Sequence, residues 1–242
     1  IDEIYKRIDS QSRLEDGNIR MAAFSSFISE REKRDSAHKF CKKPLSFLHF
    51  ANISSHLENS REFIIEVINE LNNVKTIWEP NNKATHKGFQ TSPDQNLFKH
   101  PSEKISQLKS IIFNEIDAYY LKFKKQSCSY IEKWPSKKIL RGWHVVLKKQ
   151  GYQEPHIHPS GWLSGVIYLR VVPPLENNEG AIEFGLNSKH YHDANSPSLT
   201  FQPKVGDIVF FPSSLHHKTI PFTTDTDRII ISFDLMPEEG RH

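Results

Sequence analysis

Two histidines separated by a single residue are the first feature of the sequence that could do chemistry. They lie in the segment Glu154-Pro155-His156-Ile157-His158, which has the character of a strand. Alternate residues of a strand project from the same face, so both imidazoles could hold one metal ion. Neutral imidazole suits Fe, Zn, Cu or Ni, and a third ligand would complete a set that leaves positions open for substrate and oxygen. Taken alone the pair is a weak signal, because surface or hydrogen-bonded histidines are more common.

A third histidine and an arginine follow about sixty residues later. His217 stands just beyond the apolar segment 208–211, and Arg228 begins the apolar segment that ends at Phe233. An arginine facing inward from so apolar a strand needs an anion, because an unpaired buried charge is expensive. A guanidinium is a good bidentate partner for a carboxylate. The sequence therefore predicts a metal site with a carboxylate-bearing co-substrate.

Two alternatives remain open for these residues. Arg228 could instead form a structural ion pair with Asp225 or Asp227. His216 is a second candidate for the distal metal ligand, although in extended backbone it faces the opposite way from His217.

The elements that must position these side chains are short strands. From about residue 138 onward, β-branched and aromatic runs alternate with Gly, Pro and Asn. This pattern predicts a mainly β sandwich or barrel. The predicted strands cover residues 139–147, 153–158, 166–172, 181–184, 198–202, 208–211, 217–220 and 228–235.

The first half of the chain is predicted to be mostly helix and loop. Apolar residues recur at helical spacing in 9–39, 60–71 and 101–123. A short strand is expected over 74–78, and the polar stretch 81–94 is expected to be a loop.

Composition limits the class of protein. A chain of 242 residues, 37% of them hydrophobic, can bury a substantial core. Its net charge of +3 is mixed along the chain, so nucleic-acid binding is not indicated. Two distant cysteines, Cys41 and Cys128, suggest neither a disulfide framework nor a zinc site. With no apolar run long enough for a membrane span and no signal peptide, we expect a cytoplasmic protein, and the missing initial Met indicates a fragment or a trimmed chain.

Three segments together resemble the iron(II)/2-oxoglutarate-dependent oxygenases. They read HIHPSGWLSGVIYL at 156–169, GDIVFFPSSLHHKT at 206–219 and DRIIISFD at 227–234. The likeness is strongest to an H-x-H branch of the 2OG-Fe(II) oxygenases, related to the prolyl hydroxylases, and it covers residues 138–236. A fainter likeness, THKGFQT at 85–91, resembles the loop before the catalytic core of that branch. The implied fold is a distorted double-stranded β-helix of the jelly-roll or cupin type, with N-terminal helices packed on its outer sheet, α+β overall.

The resemblance assigns roles to individual residues. His156 would be the first iron ligand, His217 the distal one, and Arg228 the partner of the far carboxylate of 2-oxoglutarate. Tyr168 falls where related hydroxylases place a tyrosine that binds the same carboxylate, and a plain core tyrosine is the alternative. Further candidates for the co-substrate pocket are Ser164 and Ser232.

His158 departs from the commoner pattern, because most relatives have Asp or Glu at this position. The site would then consist of three histidines, or of two histidines and a water. Glu154 and Glu183 are close enough in sequence to offer a carboxylate instead, but neither stands at the motif position.

The resemblance implies a helical segment over 1–60 and an oxygenase domain over 61–242. It implies a dioxygenase that uses Fe(II), 2-oxoglutarate and O2, with ascorbate as a candidate reductant, and hydroxylates a C–H bond while releasing succinate and CO2. The substrate would be a peptide, a protein side chain or a small metabolite. Rival hypotheses are a three-histidine cupin dioxygenase that does not use 2-oxoglutarate and a non-catalytic β-barrel binding module. A homodimer through the N-terminal helices is a further hypothesis.

Overall fold

A computed structural model of the chain describes residues 1–15, 17–173 and 176–237. Its helices are α1 (Asp2–Leu14), α2 (Ile19–Glu32), α3 (Ser60–Leu71), α4 (Glu103–Phe123) and α5 (Ser129–Glu132). Its strands are β1 (His49–Asn52), β2 (Thr76–Trp78), β3 (Thr85–Thr91), β4 (Leu140–His156), β5 (Leu163–Arg170), β6 (Ile182–Gly185), β7 (Ser198–Phe201), β8 (Asp207–Pro212), β9 (His216–Thr219) and β10 (Arg228–Leu235).

The strands form one curled antiparallel sheet, in the order β1-β8-β5-β10-β4-β9-β6-β7. The long strand β4 joins its two halves, because residues 140–147 pair with β10 whereas Gln153 and His156 pair with β9. The other edge of β4 pairs with β3, which in turn pairs with β2. This is the curled, mainly β architecture of the double-stranded β-helix, and the predicted fold is confirmed.

Alternate residues of the central strand β10 serve two different cores. Ile229, Ile231 and Phe233 pack in the core that includes α3 and α4. Ile230 packs in a second core between the halves of the sheet. Because side chains alternate across a strand, the residues at even positions from 228 to 234 face the inside of the curled sheet. Helices α3 and α4 therefore cover the outer face, and the inner face carries the polar residues.

The first helical segment is divided, contrary to the single helix predicted over 9–39. The break falls between Leu14 and Ile19, where Asn18 caps α2 by accepting a hydrogen bond of 3.0 Å from the backbone N–H of Met21. Asn is a favoured N-cap because its side chain satisfies a backbone donor that has no partner within the helix. The boundary proposed at residue 60 stays a prediction.

The predicted loop over 81–94 is wrong for residues 85–91, which form β3. This strand lacks an apolar alternation because polar side chains occupy its buried positions. Thr85, for example, donates a hydrogen bond of 2.9 Å to Gln90. Polar pairing replaces the hydrophobic signal on which the prediction depended. None of the helices in the described part of the chain is long and apolar enough to cross a bilayer.

Candidate metal centre

Three histidines meet where the two halves of the sheet join. His156 at the end of β4 lies directly opposite His217 on β9, and His158 follows two residues after His156. One ligand atom from each of the three lies within 4.8 Å of the others. The ring centroids of His156 and His217 are 4.2 Å apart. The structure thus brings together the three residues predicted as metal ligands, and their coordination of iron stays a prediction.

Each of these imidazoles already uses its Nδ1 atom. Nδ1–H of His156 donates to the backbone oxygen of Glu154 at 2.7 Å, and that of His217 donates to the oxygen of Leu215 at 3.2 Å. His158 Nδ1 lies 2.6 Å from a carboxylate oxygen of Asp234. Metal-binding histidines commonly donate one ring N–H to an oxygen, which fixes the tautomer. All three Nε2 atoms are left for a metal.

Burial keeps two of these imidazoles in the neutral form that binds metals. It lowers the pKa of His156 to about 3, with a smaller contribution from the nearby His158. Burial also lowers the pKa of His217 well below its usual value, and the neighbouring His156 adds to this effect. A metal ligand must be deprotonated, so these two need lose no proton when an ion binds at neutral pH.

A second polar site lies on the inner face of β5 and β10. Arg228 is 1% exposed, and its Nε–H donates to the backbone oxygen of Gly180 at 3.0 Å. It also lies 5.1 Å from the ring centroid of Tyr168. Among the described residues, neither Nη1 of Arg228 nor the buried hydroxyl of Tyr168 has a hydrogen bond of good geometry, although the two side chains are close enough to influence each other's pKa.

The unused donors of Arg228 and Tyr168 fit a carboxylate. Burial raises the pKa of Tyr168 to about 12, although the positive charge of Arg228 opposes the rise, so the phenol keeps its proton. A buried donor without a partner costs free energy, and two such donors side by side indicate a ligand that would satisfy both. Ser232 lies on the same inner face, between Arg228 and Asp234 on β10.

The alternative partners of Arg228 are engaged elsewhere. Asp225 and Asp227 form ion pairs with Lys149 and Lys148, at 3.2 and 2.6 Å. The hypothesis of a structural ion pair for Arg228 is therefore wrong for the described structure.

The alternative metal ligands have other partners. Glu154 pairs with Lys189, and Glu183 pairs with Lys218, both at 2.9 Å. His216 packs edge-on against Tyr191, with ring centroids 5.6 Å apart.

An open cleft of about 830 Å³ leads to the histidines. Strand β4 contributes Trp143, whose ring lies 5.3 Å from that of His158. Helix α2 contributes Phe24, which contacts Tyr191 on the opposite wall at 5.4 Å between ring centroids. Helix α2 thus forms part of the cleft, and dimerisation through the N-terminal helices stays a prediction.

Sequence reasoning missed two residues of this site, Asp234 and Gly180. Asp234 ends β10 with the same inward parity as Arg228, and this parity was the signal that could have found it. Gly180 contributes only a backbone oxygen, so no side-chain pattern points to it. Ser164 was predicted to contact the co-substrate, and it donates a hydrogen bond of 2.6 Å to Asp234.

Residues 141–234 match the model of a family described as "Putative 2OG-Fe(II) oxygenase". No curated protein matches the chain. Among the solved structures that resemble it are three with 12% sequence identity. A prolyl-4-hydroxylase from Pseudomonas putida has a TM-score of 0.52 and covers 79% of this chain and 92% of its own.

The second similar structure is a prolyl hydroxylase from Trichoplax adhaerens in complex with a hypoxia inducible factor oxygen degradation domain peptide fragment, with a TM-score of 0.55 over 91% of this chain and 92% of that one. The third is HygX from Streptomyces hygroscopicus with nickel and 2-oxoglutarate bound, with a TM-score of 0.50 over 79% of this chain and 83% of that one. At this identity the structural likeness shows the fold alone.

Proposed function

We infer that this protein is an oxidoreductase that uses Fe(II) and 2-oxoglutarate, because residues 141–234 match the 2OG-Fe(II) oxygenase family. We propose that it hydroxylates a C–H bond of its substrate. One observation carries the proposal: the three histidines share the inner face of the sheet with a buried arginine and tyrosine, and Nη1 of the arginine and the hydroxyl of the tyrosine have no hydrogen-bond partner among the described residues. A ferrous ion and a dicarboxylate satisfy both sets of groups at once.

The residues of the chain have distinct roles in this proposal. His156, His158 and His217 would hold the metal through Nε2, while the guanidinium of Arg228 and the hydroxyl of Tyr168 would bind the far carboxylate of 2-oxoglutarate. Three protein ligands leave coordination positions open for the co-substrate and for oxygen. When bound, iron supplies the oxidising chemistry that converts 2-oxoglutarate to succinate and CO2.

The burial of Arg228 argues against the cupin rival. A three-histidine dioxygenase that does not use 2-oxoglutarate has no need of a cation inside the sheet, and a buried charge without a partner is destabilising. A carboxylate that binds during each turnover offsets the cost of burying the guanidinium, because the two groups pair through charged hydrogen bonds.

The cleft supports a substrate that carries an anionic group. Its two carboxylates are already engaged, Glu154 with Lys189 and Asp234 with His158. The cations Arg20 and Arg141, which also line the cleft, have no acidic partner among the described residues. Cations in a cleft raise the local concentration of anionic ligands. We therefore expect an acidic peptide or metabolite to stimulate 2-oxoglutarate turnover more than its amide does.

The decisive assay is succinate formation from 2-oxoglutarate by anaerobically purified protein, started by adding air in the presence of Fe(II), ascorbate and paired acidic and amidated compounds. We expect turnover by the wild type and by Arg170→Met, which removes an exposed arginine at the end of β5. His217→Ala and Arg228→Met should be inactive. If the wild type neither binds Fe(II) nor forms succinate, the oxygenase proposal is wrong.

A further inference from the structure

Asp234 closes the inner face of β10 and lies behind the third histidine. One of its carboxylate oxygens, Oδ1, is 2.6 Å from His158 Nδ1 and 2.6 Å from the hydroxyl of Ser164. The hydroxyl of Ser213 lies 2.8 Å from that of Ser164 and extends the chain of hydrogen bonds. All four side chains are buried, with 8% of His158 and 6% of Asp234 exposed.

No lysine or arginine of the described residues forms an ion pair with Asp234. A buried carboxylate is stable only when hydrogen bonds or a cation compensate it. The hydroxyl of Ser164 lies 3.0 Å from His158 Nδ1 as well, but it donates its proton to Asp234 over the shorter distance of 2.6 Å, so His158 is the remaining donor at this oxygen. The arrangement therefore favours the His158 tautomer with the proton on Nδ1 and the lone pair on Nε2, facing the other two histidines.

The backbone around His158 is built to hold this contact. The His158 N–H donates to the backbone oxygen of Ser213 at 3.0 Å, and the N–H of Gly161 donates to the oxygen of His158 at 3.0 Å. A side chain at position 161 would not fit, because a Cβ there would lie 2.6 Å from the Ser213 hydroxyl and 2.9 Å from the carboxyl carbon of Asp234. The glycine lets the loop close onto the carboxylate.

The charge of the site gives this contact its significance. In the common arrangement of two histidines and one carboxylate, a ligand carries one negative charge. Three neutral imidazoles carry none, so the ion would keep its full charge of +2. Asp234 returns one negative charge to the site from behind His158, one imidazole ring further from the metal.

We propose that Asp234 is the positioning residue that makes His158 a metal ligand: it fixes the ring and its tautomer and supplies the negative charge that relatives place on a ligand carboxylate. This inference rests on the proposed function, because it assumes that the three histidines bind a metal. Carboxylates that hydrogen-bond a metal-binding histidine raise the basicity of the ligand, and their loss commonly costs about 10- to 100-fold in metal affinity.

A double-mutant cycle tests the proposal through Co(II) affinity, measured by calorimetry with the visible spectrum of the bound ion as a second readout. Asp234→Asn should weaken Co(II) binding about 10- to 100-fold. In a His158→Asp background Asp234 has no imidazole to position, so there Asp234→Asn should change Co(II) affinity much less than in the wild type. Asp225→Asn, at an exposed ion pair, is the matched control and should change neither background.

The tautomer can be read in the wild-type protein, so the test does not depend on the variants folding. We expect long-range ¹⁵N–¹H NMR spectra to show the His158 proton on Nδ1, and Zn(II) to bind at Nε2. A proton on Nε2 of His158 would overturn the role of Asp234, and so would the same effect of Asp234→Asn in both backgrounds. In either case the proposed function would stand if the wild type still bound metal and consumed 2-oxoglutarate. If the wild type bound neither Co(II) nor Zn(II), both this inference and the proposed function would fall.

Discussion

Replacing Arg228 by methionine should have opposite effects on the free protein and on its complex with 2-oxoglutarate. Methionine keeps an unbranched side chain in the buried site but removes the charge. In the free protein Arg228 is 1% exposed, and its Nη1 has no hydrogen-bond partner among the described residues. A structural arginine would stabilise the fold, whereas a binding arginine held ready for an anion is a cost to the fold. We therefore expect the melting temperature of the 2-oxoglutarate-free variant to equal or exceed that of the wild type.

The loss of binding follows from the same burial. Removing one partner of a buried, hydrogen-bonded charge pair costs about 2–5 kcal/mol, so the Kd of 2-oxoglutarate should rise by roughly 30- to 5,000-fold. At a ligand concentration of about 100 times its Kd, the wild type should gain about 2.7 kcal/mol of stability. This corresponds to roughly 5–11 °C for a chain of this size. Arg228→Met should gain less than about 1 kcal/mol at the same concentration.

The assay is thermal unfolding with Ni(II) in place of Fe(II), with and without 2-oxoglutarate, supported by calorimetric titration. Arg170→Met is the control, because Arg170 is exposed and lies across from Ile229 on the neighbouring strand. This control should keep the full shift. A variant at position 228 that melted several degrees lower without ligand, or bound 2-oxoglutarate within threefold of the wild type, would contradict the carboxylate-binding role.

Three further outcomes are expected. Gly161→Ala should lower the free energy of unfolding by about 1–3 kcal/mol in urea titrations, because the added methyl group has no room. The control Gly185→Ala should change the free energy of unfolding little, because the nearest atoms to its Cβ would lie 3.5 Å away. Co(II) should quench tryptophan fluorescence chiefly through Trp143, whose ring centroid lies 5.3 Å from that of His158. Trp143→Phe should therefore lose most of the quenching, and unchanged quenching would contradict the site geometry. Burial lowers the pKa of His144 to about 4, so it stabilises the fold fully above pH 6.5 and loses that contribution as the pH falls towards 4. The stability advantage of the wild type over His144→Gln should therefore shrink by about 3 kcal/mol across this range, and a constant difference would refute the pKa shift.

Much of the fold was predictable because its signals are local. The helices α3 and α4 follow from apolar residues at helical spacing, and the strands after residue 138 follow from alternation and turns. The polar strand β3 was missed because its buried side chains satisfy one another by hydrogen bonds. The two strands predicted over 139–147 and 153–158 proved to be one strand, since β4 bends without ending.

The site was predictable to the extent that its residues stand in short motifs. His156 and His217 come together because their strands pair, and Arg228 was identified by a charge in an apolar strand. The support behind the ligands was not predictable in the same way. Asp234 lies 76 residues from His158, and its contact exists only once the sheet has curled. The sequence shows the ligand types, whereas the tautomers and the balance of charge depend on tertiary structure.

The position of β10 has a consequence for how the protein is made. This strand is the last along the described chain, yet it lies in the middle of the sheet, between β4 and β5. While β10 is still inside the ribosome, β4 and β5 of the nascent chain each have an unpaired edge. Unpaired strand edges are templates for aggregation. Pairing β10 with β4 also closes a loop of more than seventy residues, which slows folding. Arg228 and Asp234 lie on this strand, so the carboxylate-binding site and the contact behind His158 form only after the strand is inserted.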